Sequence, residues 1–244
     1  MKKILLTFGL VVSLFGVDKM LSHDKVIKII KSTPMGSQLL DQEKSKKVTL
    51  SGVQKADFYI IIVSGDKGKA NLMVSKDLKY TFLGPVLDNK TTKPIKAVFK
   101  KDAKKIKNGV LFSFGKGKKD IYVITDPECP WCRKFEEAAK NSNFSKNYRA
   151  HIILHPLSFH KNAKAMSYYI LSAKTEQEKV KRFHETLAGS EAYKKFKPTK
   201  AQKMALDNEL VKANNATNEL DVPGVPSFFD ENFNEIPDRD KLLK

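Results

Sequence analysis

Cysteine is nearly absent from this chain. Its 244 residues hold two, Cys129 and Cys132, three positions apart. That excludes a framework of structural disulfides, and closing so short a loop contributes only about 2 kcal/mol in the loop-entropy account, before any strain. Arginine is scarce as well: Arg133, Arg149, Arg182 and Arg239 stand beside 41 lysines. The formal net charge of +18 therefore comes from lysines spread along the chain, not from the planar guanidinium forks that a phosphate-reading surface favours. We read the basicity as a compositional habit, and no nucleic-acid partner is expected. Internal repeats and low-complexity segments are also missing. With 41% hydrophobic and 30% charged residues, the composition is that of a globular protein and excludes a disordered, collagenous or polytopic membrane chain. The length suits one large domain or two small ones.

No apolar run is long enough to span a bilayer, which takes about 20 residues. The longest, Ile4 to Val17, has 14 and follows Lys2 and Lys3. A basic start and a short apolar stretch predict a secretory signal peptide over residues 1–17, although no small-x-small cleavage pair is evident. The alternatives are an uncleaved anchor or a buried helix. Export would place the two cysteines in an oxidising compartment.

Residues 18–31 carry Met20, Leu21, Val26, Ile27, Ile29 and Ile30 among lysines, and predict an amphipathic helix ended by Pro34 and Gly36. Four short strands are expected next, Lys47–Val53, Phe58–Val63, Ala70–Ser75 and Tyr80–Leu83, giving a small α+β domain over 18–92. Pro94 and the apolar positions Ile95, Val98, Phe99 and Ile106, with Gly109 as a stop, predict a linker helix over 93–109. From 110 to 244 the expected order is β-β-α-β, a helical insertion over 162–220 opened twice by capping boxes, Thr175 to Glu178 and Thr199 to Gln202, and a closing hairpin at Ser227–Ile236.

The chemistry is concentrated at Asp126-Pro-Glu-Cys-Pro-Trp-Cys132, between a strand and a helix. Cys129 falls at the helix N-terminus, where unpaired N–H groups and the dipole favour a thiolate. Cys132 lies one turn further in. The first sulfur can attack a disulfide and the second can resolve the mixed disulfide. Pro130 lacks an N–H and suits the first turn. Trp131 offers apolar surface beside the attacking sulfur but no charged hydrogen bond to it. Glu128 opposes ionisation slightly. A second signal is Val222-Pro-Gly-Val-Pro226 before the final hairpin. A cis bond at Val225–Pro226 would leave the backbone of Val225 free to pair with an incoming strand; a trans proline in an ordinary loop is the alternative.

The pair Cys129 and Cys132 with His151, His155 and His160 also fits a zinc spacing. Against it, His151 and His155 fall on a strand, about 13 Å apart at a separation of four residues. No metal is expected, and the histidines are assigned no role. A cysteine protease has no need of a second cysteine at this spacing.

The strand, the C-P-W-C helix, the helical insertion and the G-V-P hairpin look like a thioredoxin fold, and the stretches 122–136, 214–226 and 79–88 make the chain after residue 17 resemble the DsbC/DsbG group of periplasmic thiol:disulfide interchange proteins. The resemblance implies an N-terminal cystatin-like dimerisation domain, a homodimer, and an apolar cleft for misfolded exported proteins. It also implies Cys129 as attacking and Cys132 as resolving cysteine, tuning by Pro130 and Trp131, and a substrate-binding segment at Val225 and the cis-proline Pro226. No cofactor beyond the Cys129–Cys132 disulfide is implied. The recycling partner would be a membrane protein, a DsbD-like reductant or a DsbB-like oxidant. Pro130-Trp131 and Val225 depart from the isomerases of the group, and Val225 matches oxidases of the DsbA type. Three readings follow: an isomerase or reductase, an oxidase on the same scaffold, and a chaperone with an incidental C-x-x-C.

Overall fold

The computed structural model describes residues 18–65, 68–90, 92, 94, 95, 97 and 101–244. The expected signal peptide, 1–17, lies outside them. The chain divides into two compact units, Met1–Lys100 and Lys101–Lys244. Among the described residues, no helix is long and apolar enough to cross a membrane.

In the first unit, β1 (Lys19–Met20), α1 (His23–Lys31), α2 (Gly36–Lys44), β2 (Val48–Lys55), β3 (Phe58–Gly65), β4 (Gly68–Ser75) and β5 (Thr81–Phe82) follow in order. The strands form an antiparallel sheet in sequence order. Period-two alternation sorts its apolar side chains to opposite faces. Leu50, Ile61, Leu72 and Val74 pack with Val26, Ile29 and Ile30 of α1, while Val53, Ile60 and Met73 meet Val86, Ile95 and Ala97 on the other side. The first helix begins later than expected, with Ser22 as its N-cap, because Lys19 and Met20 pair with Gln54 and Val53. Helix α2 was not foreseen. Gly36 reads as a stop signal, yet it opens α2, and a Cβ there would come within 2.5 Å of the Ile30 carbonyl oxygen. The glycine permits a close approach to the end of α1.

Of the linker helix expected over 93–109, residues 93, 96 and 98–100 lie outside the described ones, and among the described residues of that stretch no helix precedes Ala103. Pro94 bridges Leu87, Ile95 and Ala97 pack under the sheet, and α3 is confined to Ala103–Asn108. Asp102 is the real start signal, its carboxylate accepting from the amides of Lys104 and Lys105. Ile106, fully buried, belongs to the core of the second unit.

The second unit continues with β6 (Phe112–Phe114), β7 (Lys119–Thr125), α4 (Pro130–Lys140), α5 (Phe144–Asn147), β8 (Tyr148–Leu154), α6 (Ala163–Leu171), α7 (Glu176–Leu187), α8 (Lys200–Leu220) and β9 (Ser227–Phe229). The sheet order is β6-β8-β7-β9. Strands β7 and β8 are parallel, as a crossover through α4 requires; β6 and β9 are antiparallel to their neighbours. Ile121–Thr125 is buried without a break, the mark of a strand covered on both faces. Glu235 bridges back to Phe229 to finish the hairpin. This is the thioredoxin-like arrangement that the resemblance implies. Of the two expected capping boxes, Thr199 and Gln202 bond reciprocally. Thr175 caps the Glu178 amide, whereas the Glu178 carboxylate turns to Lys174 and Arg182. Helix α4 is anchored by Phe135, whose ring lies 4.4 Å from that of Phe228, and by buried Glu136, which hydrogen-bonds His184 of α7.

Candidate active site

Strand β7 ends at Thr125, and four residues later Cys129 is the N-cap of α4. Pro130 takes the first helical position and Cys132 falls in the first turn. The turn closes with the Cys129 amide donating to the Asp126 carbonyl oxygen at 3.1 Å, while the Arg133 amide donates to the Cys129 carbonyl oxygen, also at 3.1 Å. Proline is well placed here because the N–H it lacks is one that an α-helix leaves unpaired at its start. Both cysteines are free thiols. Cys129 keeps 5% of its surface and Cys132 2%, so exposure separates them only slightly.

Chemistry separates them further. Burial pushes the Cys132 thiol up to about 12. The Asp126 amide, 3.4 Å from the sulfur, and the Thr125 side chain pull the other way, and the neighbouring Cys129 adds to the rise. At neutral pH Cys132 is therefore a protonated thiol. The Cys129 thiol faces the carbonyl oxygen of Val225, with Sγ at 3.8 Å. The Val225–Pro226 peptide bond is cis. The hairpin is brought here by β9, whose Phe228 and Ser227 pair with Val123 and Ile124. Trp131 is 55% exposed, with the Lys134 ammonium 4.9 Å and the Arg239 guanidinium 5.7 Å from its ring centre. The structure thus places Cys129, Pro130, Trp131 and Cys132 together at the start of α4, and Val225 with Pro226 opposite the first sulfur. A cleft of about 220 Å³ opens beside Pro226, lined by Phe228, Glu235, Ile236, Pro237 and Arg239.

Sequence reasoning passed over Asp126 as a separate element. It is completely buried. Its carboxylate accepts from the Glu128 amide at 2.7 Å, the Leu157 amide at 2.7 Å and His160 Nδ1 at 2.9 Å. One side chain thereby ties the dithiol turn to the loop after β8. A carboxylate directly after an apolar strand run was the available signal, since a buried charge needs partners. Glu128 forms a second tie, accepting from the Asn162 amide at 2.6 Å and its Nδ2 at 3.0 Å. Its burial opposes ionisation, but the hydrogen bonds from Asn162 and Ala163 prevail and its pKa is lowered.

The three histidines of the zinc spacing go to separate partners. His151 bonds Asp120 and Ser113, His155 lies 3.5 Å from the Thr217 hydroxyl, and His160 bonds Asp126. Burial pushes His155 down, against the field of Asp126. Among the described residues, no group of three or more His, Cys, Asp or Glu side chains is arranged to hold a metal ion.

No protein-family model matches the chain, and no curated protein matches it. It is similar to several solved structures. Helicobacter pylori DsbG shares 14% identity over 79% of this chain and 98% of that one, with a TM-score of 0.40. The catalytic domain of Proteus mirabilis ScsC shares 20% over 57% and 88%, with a TM-score of 0.40. A thioredoxin-like oxidoreductase from Silicibacter pomeroyi DSS-3 shares 17% over 58% and 93%, with a TM-score of 0.45.

Proposed function

We propose that this protein is an exported thiol:disulfide interchange protein that isomerises or reduces disulfides of periplasmic proteins through Cys129 and Cys132. The observation that carries this reading is the placement of the Cys129 sulfur. It sits at the N-cap of α4, facing Val225, with a buried protonated Cys132 behind it. The Cys129 thiolate attacks one sulfur of a substrate disulfide; the S–S bond breaks, and the other substrate sulfur leaves as a thiolate. In isomerisation, a substrate thiolate attacks the substrate sulfur of the mixed disulfide and Cys129 is released unchanged. In reduction, Cys132 loses its proton and attacks Cys129 Sγ. That forms the Cys129–Cys132 disulfide, releases the second substrate sulfur as a thiolate, and moves two electrons to the substrate. Burial of Cys132, which keeps its thiol protonated, slows this second route.

The redox-active disulfide is the cofactor of this scheme. Pro130 and Trp131 tune it, and the Val225 amide, which has no hydrogen-bond partner among the described residues, offers a substrate strand a donor beside Pro226. A DsbD-like membrane reductant returns the electrons. The N-terminal unit acts as a cystatin-like dimerisation domain over 18–92, a role supported by exposed Tyr80, Leu83 and Leu87 around edge strand β5. Nucleic acid is not a partner. The oxidase reading rests on Val225 preceding Pro226 and would require a DsbB-like oxidant. Thiol trapping in freshly lysed cells tests the direction. Reduced Cys129 and Cys132 are expected, with a potential of about −180 mV or lower; fully oxidised protein at about −120 mV would establish the oxidase.

A further inference from the structure

Trp131, the only tryptophan of the chain, is a half-exposed ring two positions from Cys129. Two cations rest on it, Lys134 from the same helix at 4.9 Å and Arg239 from the C-terminal turn at 5.7 Å. An aromatic face attracts cations, but in neither case does a carboxylate among the described residues stand within ion-pair distance. Of the acids nearby, Glu137 stands exposed one turn beyond Lys134 on α4, and others are engaged elsewhere. Asp126 holds the 157–160 loop, Glu128 holds Asn162, and Asp238 pairs with Lys241 at 3.5 Å. Glu235 stands in the cleft wall within the field of Lys101, and Asp240 follows Arg239 in the turn. Arg239 also lines the cleft that begins at Pro226, so it borders both the aromatic ring and the segment facing the attacking sulfur.

We propose that Trp131, Lys134 and Arg239 form a specificity patch for acidic peptide segments, in which an Asp or Glu lies within one or two residues of the substrate cysteine. The proposal deepens the disulfide-exchange reading and rests on it. The ring supplies an apolar floor, and a substrate carboxylate takes up the two cations. The guanidinium can pair with it through two parallel hydrogen bonds. The patch touches substrate beside the reacting sulfurs and takes no part in breaking the S–S bond. Complementary charge at such a site acts chiefly on encounter and orientation.

The test uses the full chain, reduced, against three capped peptide disulfides that differ only in the residues flanking cysteine: Glu-Cys-Glu, Gln-Cys-Gln and Lys-Cys-Lys. The rate at which each oxidises Cys129 and Cys132 is read by acid quench and mass spectrometry. At low ionic strength the acidic peptide is expected to react roughly tenfold faster than the neutral one, and the advantage should shrink as salt screens the charges. In the Lys134→Gln, Arg239→Gln double variant, the acidic-to-neutral ratio should fall below about twofold. A Lys200→Gln, Lys212→Gln variant carries the same change in net charge on α8 and should keep the wild-type ratio. Equal rates for the three peptides, or an equal loss in the two double variants, would overturn the patch while leaving disulfide exchange standing. Failure of all three peptides to oxidise the dithiol would remove the exchange reading and this proposal with it.

Discussion

The Cys129 thiol points at the carbonyl oxygen of Val225, 3.8 Å away, across a sequence separation of 96 residues. Two independent pieces of local structure make this meeting possible. The end of β7 delivers Cys129 to the start of α4, and β9 pairs with the same strand. The sulfur is thus placed against the backbone to which the proposal assigns substrate binding, with the cleft continuing past Pro226 toward Arg239.

The first prediction concerns which thiol reacts. With Cys132 pushed up to about 12 by burial and Cys129 at a helix N-terminus, limiting alkylation of the reduced protein at pH 7 should modify Cys129 at least tenfold in preference, a rough figure set by the thiolate fraction. Peptide mapping by mass spectrometry reads this out. Preferential labelling of Cys132 would reverse the attacking and resolving roles.

The Asp126 knot should be costly to remove. Asp126→Ala leaves two half-buried amides and His160 without their acceptor, a loss of about 3 kcal/mol. Asp126→Asn keeps an acceptor oxygen and should lose less. Urea midpoints of the oxidised proteins measure both. A midpoint for Asp126→Ala equal to that of the wild type would mean that the carboxylate does not hold the turn to the 157–160 loop.

Stability of the reduced form should also depend on pH. The folded state raises the Cys132 pKa to about 12, above the value of about 8.5 for a free thiol. Above about 8.5 the unfolded chain therefore sheds this proton first, and stability falls as pH rises from there toward the folded value. The disulfide form has no such proton. The difference in denaturation midpoint between reduced and oxidised protein should shift against the reduced form between pH 8 and 10. A difference independent of pH would contradict the assignment.

Much of this site was legible because it is local. C-P-W-C after an apolar run fixes a strand, a turn and a helix start, and Thr199 with Gln202 marks the next long helix correctly. Less legible were features that depend on a distant partner. Gly36 is a stop signal until α2 is seen to lie against Ile30. Pro94 suggests a helix start until Leu87 pairs with it. Asp126 is one acid in a polar turn until Leu157 and His160 arrive from beyond β8. Tertiary contacts override local propensity at each of these positions.

The N-terminal unit should pair with a second copy. Tyr80 is 62% and Leu83 70% exposed at a sheet edge, and so small a unit gains from burying them. Light scattering on the protein lacking residues 1–17 should give twice the monomer mass, and Leu83→Lys should shift it toward the monomer. A monomer at micromolar concentration would remove the dimer and favour the oxidase reading.

The central claim is that Cys129 exchanges disulfides with other proteins. Its most direct test is reactivation of a scrambled multi-disulfide protein by catalytic amounts of the reduced chain. The account predicts that the wild type restores activity, that Cys132→Ser keeps part of it while accumulating mixed disulfides at Cys129, and that Cys129→Ser restores none. Full reactivation by Cys129→Ser would contradict the account and leave a chaperone whose C-x-x-C is incidental.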